Sequence, residues 1–177
     1  MLGYLSKIFG GSKSEKDVRK IEPLVGQINQ FFTRYQQLSH DELRNKTAEF
    51  RARIKEHLQA IDQEIADKNQ AAEQLPFEEL MEKEAIYQEV DRLRKERNQQ
   101  IEQVLNEILP EAFAVVKEAA RRFKENTNLV ATATPLDRDL SVKRNYITIE
   151  GDQSIFQNNW TAAGASITWN MVTTMYS

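Results

Sequence analysis

The sequence predicts a mainly α-helical fold with a small β portion. Three observations carry that prediction. Two long stretches repeat apolar residues every three or four positions, a Ser-x-x-Glu capping box opens the first of them, and after Asn126 the chain turns to short β-branched and aromatic segments. The expected order is an N-terminal amphipathic helix, a long antiparallel helical hairpin and a C-terminal β-hairpin or meander.

The opening MLGYLSKIFG places Leu2, Leu5, Ile8 and Phe9 at helical spacing with Lys7 on another face. Gly10-Gly11 ends that helix and supplies a joint, giving a first segment over residues 1–11. Ser14 with Asp17 resembles an N-cap with an acidic first turn. The helix it opens meets Pro23, where a kink or a fresh start is expected because proline donates no backbone hydrogen bond.

Ser39-His40-Asp41-Glu42 is a capping box, so a helix starts there. Leu43, Thr47, Phe50, Ile54, Leu58, Ile61 and Ile65 then form one stripe, ended at Pro76. A second stripe, Ile86, Val90, Leu93, Arg97, Ile101, Val104 and Ile108, runs to Pro110. Two stripes of similar length bury each other in a hairpin, the insertion occupying about residues 55–108 of a helical region over 14–125. Pro110 suits the first turn of a new helix, with Phe113, Val116, Ala120 and Phe123 as its apolar face.

Residues 126–177 form the β-rich segment. LVATAT from Leu129, NYITIE from Asn145, the run from Ser154 to Gln157 and the run from Ser166 to Trp169 read as strands, with Glu150-Gly151-Asp152 as a turn. Asp137-Arg138-Asp139 could hold a loop or reach a phosphate, and the loop-holding reading is favoured.

Composition excludes several functions. Without cysteine there is neither a disulfide framework nor a thiol nucleophile. His40 and His57 are the only histidines and read as cap-region and helix-flank side chains, so no metal ligands are assigned. The glutamates around Glu82 read as a solvated helix face, and no catalytic residues are assigned. Net charge is −3, which argues against nucleic acid as a partner; residues 1–20 carry +3 and the rest −6. No apolar run reaches the roughly 20 residues of a membrane span. The basic amphipathic start suits the surface of an anionic membrane, and Leu2, Leu5, Lys7, Ile8 and Phe9 are the candidate membrane- or partner-binding residues.

Leu38-Ser39, Asp41-Glu42-Leu43, the run KTAEFRAR from Lys46 and the run LPEAFAVV from Leu109 resemble the SecA family, the ATPase motor of bacterial protein export. The resemblance covers most of residues 1–125 and extends more weakly to Met171; the long hairpin and the β-rich stretch resemble Bacteroidetes-type members. It implies an N-terminal piece containing the incomplete start of a RecA-like nucleotide-binding domain. It further implies ATP and Mg²⁺ as cofactors of the full-length family, with the SecYEG channel, anionic phospholipid and preprotein as partners. A cytoplasmic location on the inner face of the membrane follows from the same resemblance. The family's phosphate loop does not occur in these 177 residues, so no cofactor is expected here and hydrolysis is not expected of this chain alone. A free-standing helical adaptor or coiled-coil interaction protein is the alternative. A homo-oligomer fits either reading.

Overall fold

A computed structural model of the protein describes residues 13–169. The elements in order are α1 (Lys13–Tyr35), α2 (His40–Gln74), a 3-10 turn (Phe77–Glu79), α3 (Leu80–Glu125), β1 (Asn128–Thr132), α4 (Pro135–Ser141), β2 (Ile147–Glu150), β3 (Gln153–Gln157), β4 (Asn159–Ala162) and β5 (Ala165–Thr168). The chain is thus mostly helical with two small antiparallel sheets. It divides into two compact units, Asn45–Leu109 on one side and Met1–Arg44 with Pro110–Ser177 on the other.

The unit Asn45–Leu109 is a helical hairpin. Leu58 and Ile61 of α2 meet Leu93 of α3, and Ile54, Ile65 and Ile101 pack around them. Each such side chain, once buried, contributes about 1.5–3 kcal/mol. Lys68 bonds Glu89 at 2.7 Å and Asp62 pairs with Arg97, so later residues of α2 meet earlier residues of α3 and the helices run antiparallel. Pro76, extended at φ −64° and ψ 161°, breaks the helix as its ring requires.

Two stripe members depart from the expected seam. Thr47 is exposed, and Leu43 packs in the other unit against Tyr35 and Ala114. Nor does Pro110 open a helix, because α3 runs through it from Leu80 to Glu125. Buried Val104 and Ile108 anchor the turns before the proline and Ala114 those after it, so packing offsets one missing hydrogen bond. In the same way α1 continues through Pro23 and includes Ser14, which therefore does not cap it.

In the second unit α1 lies on the last turns of α3. Tyr35, Leu43 and Ala114 form the core, with Ile28, Phe31, Phe32, Val115 and Ala119 against it. The helix face thus differs from the expected one. Phe113 and Val116 are exposed, because the small Ala114 and Ala119 let α1 approach where the larger side chains would hold it off.

One sheet has the order β1-β3-β2 with both pairings antiparallel, and Phe156 sits opposite Leu129 on one side and Ile147 on the other. β2 and β3 join at Gly151, whose φ of +58° suits glycine. β4 and β5 form a separate hairpin turned at Ala163 and Gly164, with φ of 50° and 78°. Sequence reading had given only β5. Positive φ at both central residues is the two-residue hairpin turn that matches strand twist, adopted here with alanine at its first position.

Candidate functional site

The first turn of α2 bonds to the sheet and α4 through Asp41 and Arg44 and to α3 through His40. The capping box forms as expected: the Glu42 backbone N–H donates to Ser39 Oγ at 3.2 Å, and the Ser39 N–H donates to Glu42 Oε2 at 2.7 Å. That box fixes the register of the next residues, so Asp41 and Arg44 reach the sheet. Asp41 accepts both the backbone N–H and the hydroxyl of Thr132, each at 2.8 Å. The Thr132 hydroxyl and backbone bonds hold the Asp41 carboxyl below its ordinary range. Arg44 donates to Thr132 O at 3.1 Å and grips both Asp137 oxygens at 3.0 and 2.8 Å.

Asp137 is buried on α4, a helix absent from the sequence-based expectation. Thr134 is its N-cap: its hydroxyl accepts the Asp137 N–H, while Asp137 Oδ2 accepts the Thr134 N–H at 2.8 Å. Ser154 of β3 adds a hydroxyl at 3.3 Å. Burial acts to raise the Asp137 carboxyl, but the Thr134 N–H and the Arg44 guanidinium outweigh it and hold it low. Its neighbour Arg138 donates to Gly151 O at 3.1 Å and so holds the β2–β3 turn, which is the loop-holding role expected of it.

A second network closes the other side of the turn. Glu118, fully buried, accepts Arg122 Nε at 2.7 Å and two bonds from Arg121. Arg122 also donates to Tyr35 O at 3.1 Å, at the end of α1, and to Leu38 O at 2.7 Å in the turn that follows. Its Nη1 lies 2.9 Å from His40 Nδ1. A guanidinium only donates, so His40 accepts at Nδ1 and carries its proton on Nε2. Burial first, and then the Arg122 charge, push the His40 pKa below its ordinary value, with Asp41 and Glu118 opposing.

Between these networks lies a mostly apolar cavity of about 240 Å³, walled in part by Leu43, Phe123, Leu129, Ala131 and Phe156. Beyond Phe123 and Phe156 a cleft of about 360 Å³ is lined by Tyr146, Trp160 and Trp169. Trp169 stacks on Phe123 at 5.4 Å and meets Trp160 edge-on at 5.8 Å. Both arginines facing the cavity are spent on carboxylates and carbonyls, and His40, which also lines it, turns Nδ1 to Arg122. The arrangement locks elements together.

Sequence reading found His40 and the capping box but missed Arg44, Glu118, Arg122 and Ser154. Glu118 and Arg122 at i and i+4 beside the small Ala114 and Ala119 were a local signal; Thr134-Pro135 with Asp137 at the third helical position was another. The candidate residues Leu2, Leu5, Lys7, Ile8 and Phe9, and the Gly10-Gly11 joint, lie outside the described residues. Within the described residues no helix is long and apolar enough to cross a membrane, and no three His, Cys, Asp or Glu side chains are grouped to hold a metal. Among the described residues no glycine-rich turn with a lysine opens a helix.

The family described as the SecA DEAD-like domain matches residues 5–134. Among curated proteins, the protein translocase subunit SecA of Christiangramia forsetii is 45% identical over 171 residues, covering 97% of this chain and 15% of that protein. SecA of Flavobacterium psychrophilum is 44% identical over 171 residues, and that of Amoebophilus asiaticus 42% over 172, with the same coverage of both chains. The chain therefore spans about 15% of the length of the curated relatives it matches. No solved structure matches it. With a family match over residues 5–134, most of its length, the chain belongs to the SecA family.

Proposed function

We propose that the chain supplies the N-terminal part of a protein translocase motor and acts by binding, while ATP-driven export of preprotein through SecYEG belongs to the longer proteins it resembles. The observation that carries this reading is identity of 45% to a translocase subunit over nearly the whole chain. In this reading the described units begin a RecA-like nucleotide-binding domain, and the exposed Phe113 and Val116 on α3 are the face on which the rest of that domain packs. ATP and Mg²⁺ would be held outside these 177 residues. The protein would work at the cytoplasmic face of the membrane.

The binding role rests on the first twenty residues. Leu2, Leu5, Ile8 and Phe9 enter the interface of an anionic membrane, and Lys7 with the following lysines faces its headgroups, each basic residue contributing about 1 kcal/mol. Co-sedimentation with vesicles tests this. Binding should require anionic lipid, weaken with salt because exposed charges are screened within about 8 Å at physiological ionic strength, and disappear when residues 1–10 are deleted. Equal binding by the deleted chain would remove the reading.

A further inference from the structure

The closed end of the hairpin carries a feature that the SecA reading does not use. Phe77 is 84% exposed, Leu80 56% and Met81 82%, the largest outward group of apolar side chains in the unit Asn45–Leu109. They lie within five residues, across the 3-10 turn and the first turn of α3, and half-exposed Tyr87 follows two turns on. Such a group on a solvated surface marks an interaction site when it is contiguous.

Charge at this end is unlike the rest of the hairpin. Residues 73–84 hold Glu73, Glu78, Glu79, Glu82 and Glu84 against Lys83 alone, a net −4. Elsewhere the hairpin is near balance, with nine Lys or Arg against ten Asp or Glu over residues 45–72 and 85–109, and several are paired: Asp62 with Arg97, Glu89 with Lys68, Asp91 with Arg94, Glu96 with Arg92. None of the five end glutamates is in an ion pair with a described residue. An apolar knob in an uncompensated negative field selects against an anionic bilayer and for a cationic surface.

We propose that the hairpin end is a docking surface for a short cationic amphipathic helix of a partner protein. The helix would lay its apolar stripe along Phe77, Leu80, Met81 and Tyr87, extending the hairpin to three helices, with its lysines or arginines set against Glu78, Glu79 and Glu82. The two terms make separate demands: the apolar contact supplies affinity, and the charges select sign and partner.

The test uses the full 177-residue chain and a synthetic Leu/Lys amphipathic peptide of about 14 residues, with a Leu/Glu peptide of the same pattern as control. The Leu/Lys peptide should protect residues 77–87 in hydrogen exchange, and calorimetry should give an affinity at least tenfold tighter than for Leu/Glu. Phe77→Ala with Met81→Ala should weaken binding at least tenfold at all salt concentrations. Glu78→Gln with Glu79→Gln and Glu82→Gln should weaken it mainly at low salt. These side chains are exposed, so the melting temperatures of the variants should match that of the parent. Protection confined to residues outside 77–87, equal affinity for the two peptides, or unchanged binding by the Phe77/Met81 variant would overturn the proposal. Protection of residues 77–87 by phosphatidylglycerol vesicles would overturn it in favour of a membrane contact.

Discussion

Arg122 is the residue on which most separate groups depend: Glu118, His40 and two carbonyls, one at the end of α1 and one in the turn after it. Removing one partner of a buried pair costs about 3–5 kcal/mol. Arg121 still holds Glu118 in an Arg122→Met variant, so the loss should fall near about 3 kcal/mol, read from urea melts. His40 adds a pH dependence. Its folded pKa is depressed below 6.5, so the unfolded chain takes up the proton first as pH falls. Stability is therefore full above that value and declines as pH drops through it. Melting temperature should fall between pH 7.5 and pH 5.5, and His40→Gln, which keeps an acceptor but does not titrate, should flatten that fall. An unchanged slope would mean that His40 does not sense the pH. The carboxylates of Asp41, Glu118 and Asp137, all held low, lose their contribution only in more acidic solution, as pH falls through their folded values.

Elements show where local sequence sufficed. The capping box at Ser39, the break at Pro76 and the turn at Gly151 each depend on residues within about four positions, and each appears where its residues placed it. Pro110 misled because its effect depends on distant packing: a proline that ends an isolated helix is carried through when both flanking turns are anchored. The α4 helix was missed because Thr-Pro-Leu-Asp reads equally as a turn, and only the capping box decides it. Ile61 is buried in the hairpin core, so Ile61→Asp should exceed the about 2–5 kcal/mol of an aliphatic truncation, with loss of helicity in circular dichroism. Phe77→Ala, at an exposed position of the same hairpin, should stay within about 0.5 kcal/mol. In the β4–β5 turn Ala163 sits in left-handed backbone, which disfavours a side chain by about 1–2 kcal/mol. Ala163→Asn, giving the preferred Asn-Gly pair, should raise the melting temperature.

At the scale of the whole molecule, the family was legible in short exact words while the binding network was not. Arg122 meets Tyr35 at the end of α1 and Leu38 in the turn after it across 87 and 84 residues, a relation that no spacing rule detects. Leu43 was legible as apolar, but which core it would join was not, because one helix serves both units. Function at this scale yields a direct check. The chain holds no phosphate loop, so calorimetry with ATP and Mg²⁺ should register no micromolar binding; a Mg²⁺-dependent signal would require a nucleotide site built from other residues.

The long reach of Arg122 also sets a clock. During synthesis α1 is complete at Tyr35, yet the guanidinium that bonds its last carbonyl is 87 residues further along the message. At 5–20 residues per second that delay is roughly 4–17 s. Until then Tyr35 O has only the Leu38 N–H at 3.2 Å, and for most of the interval α1 lacks Ala114 to pack on. Its apolar stripe is open to whatever first reaches the nascent chain.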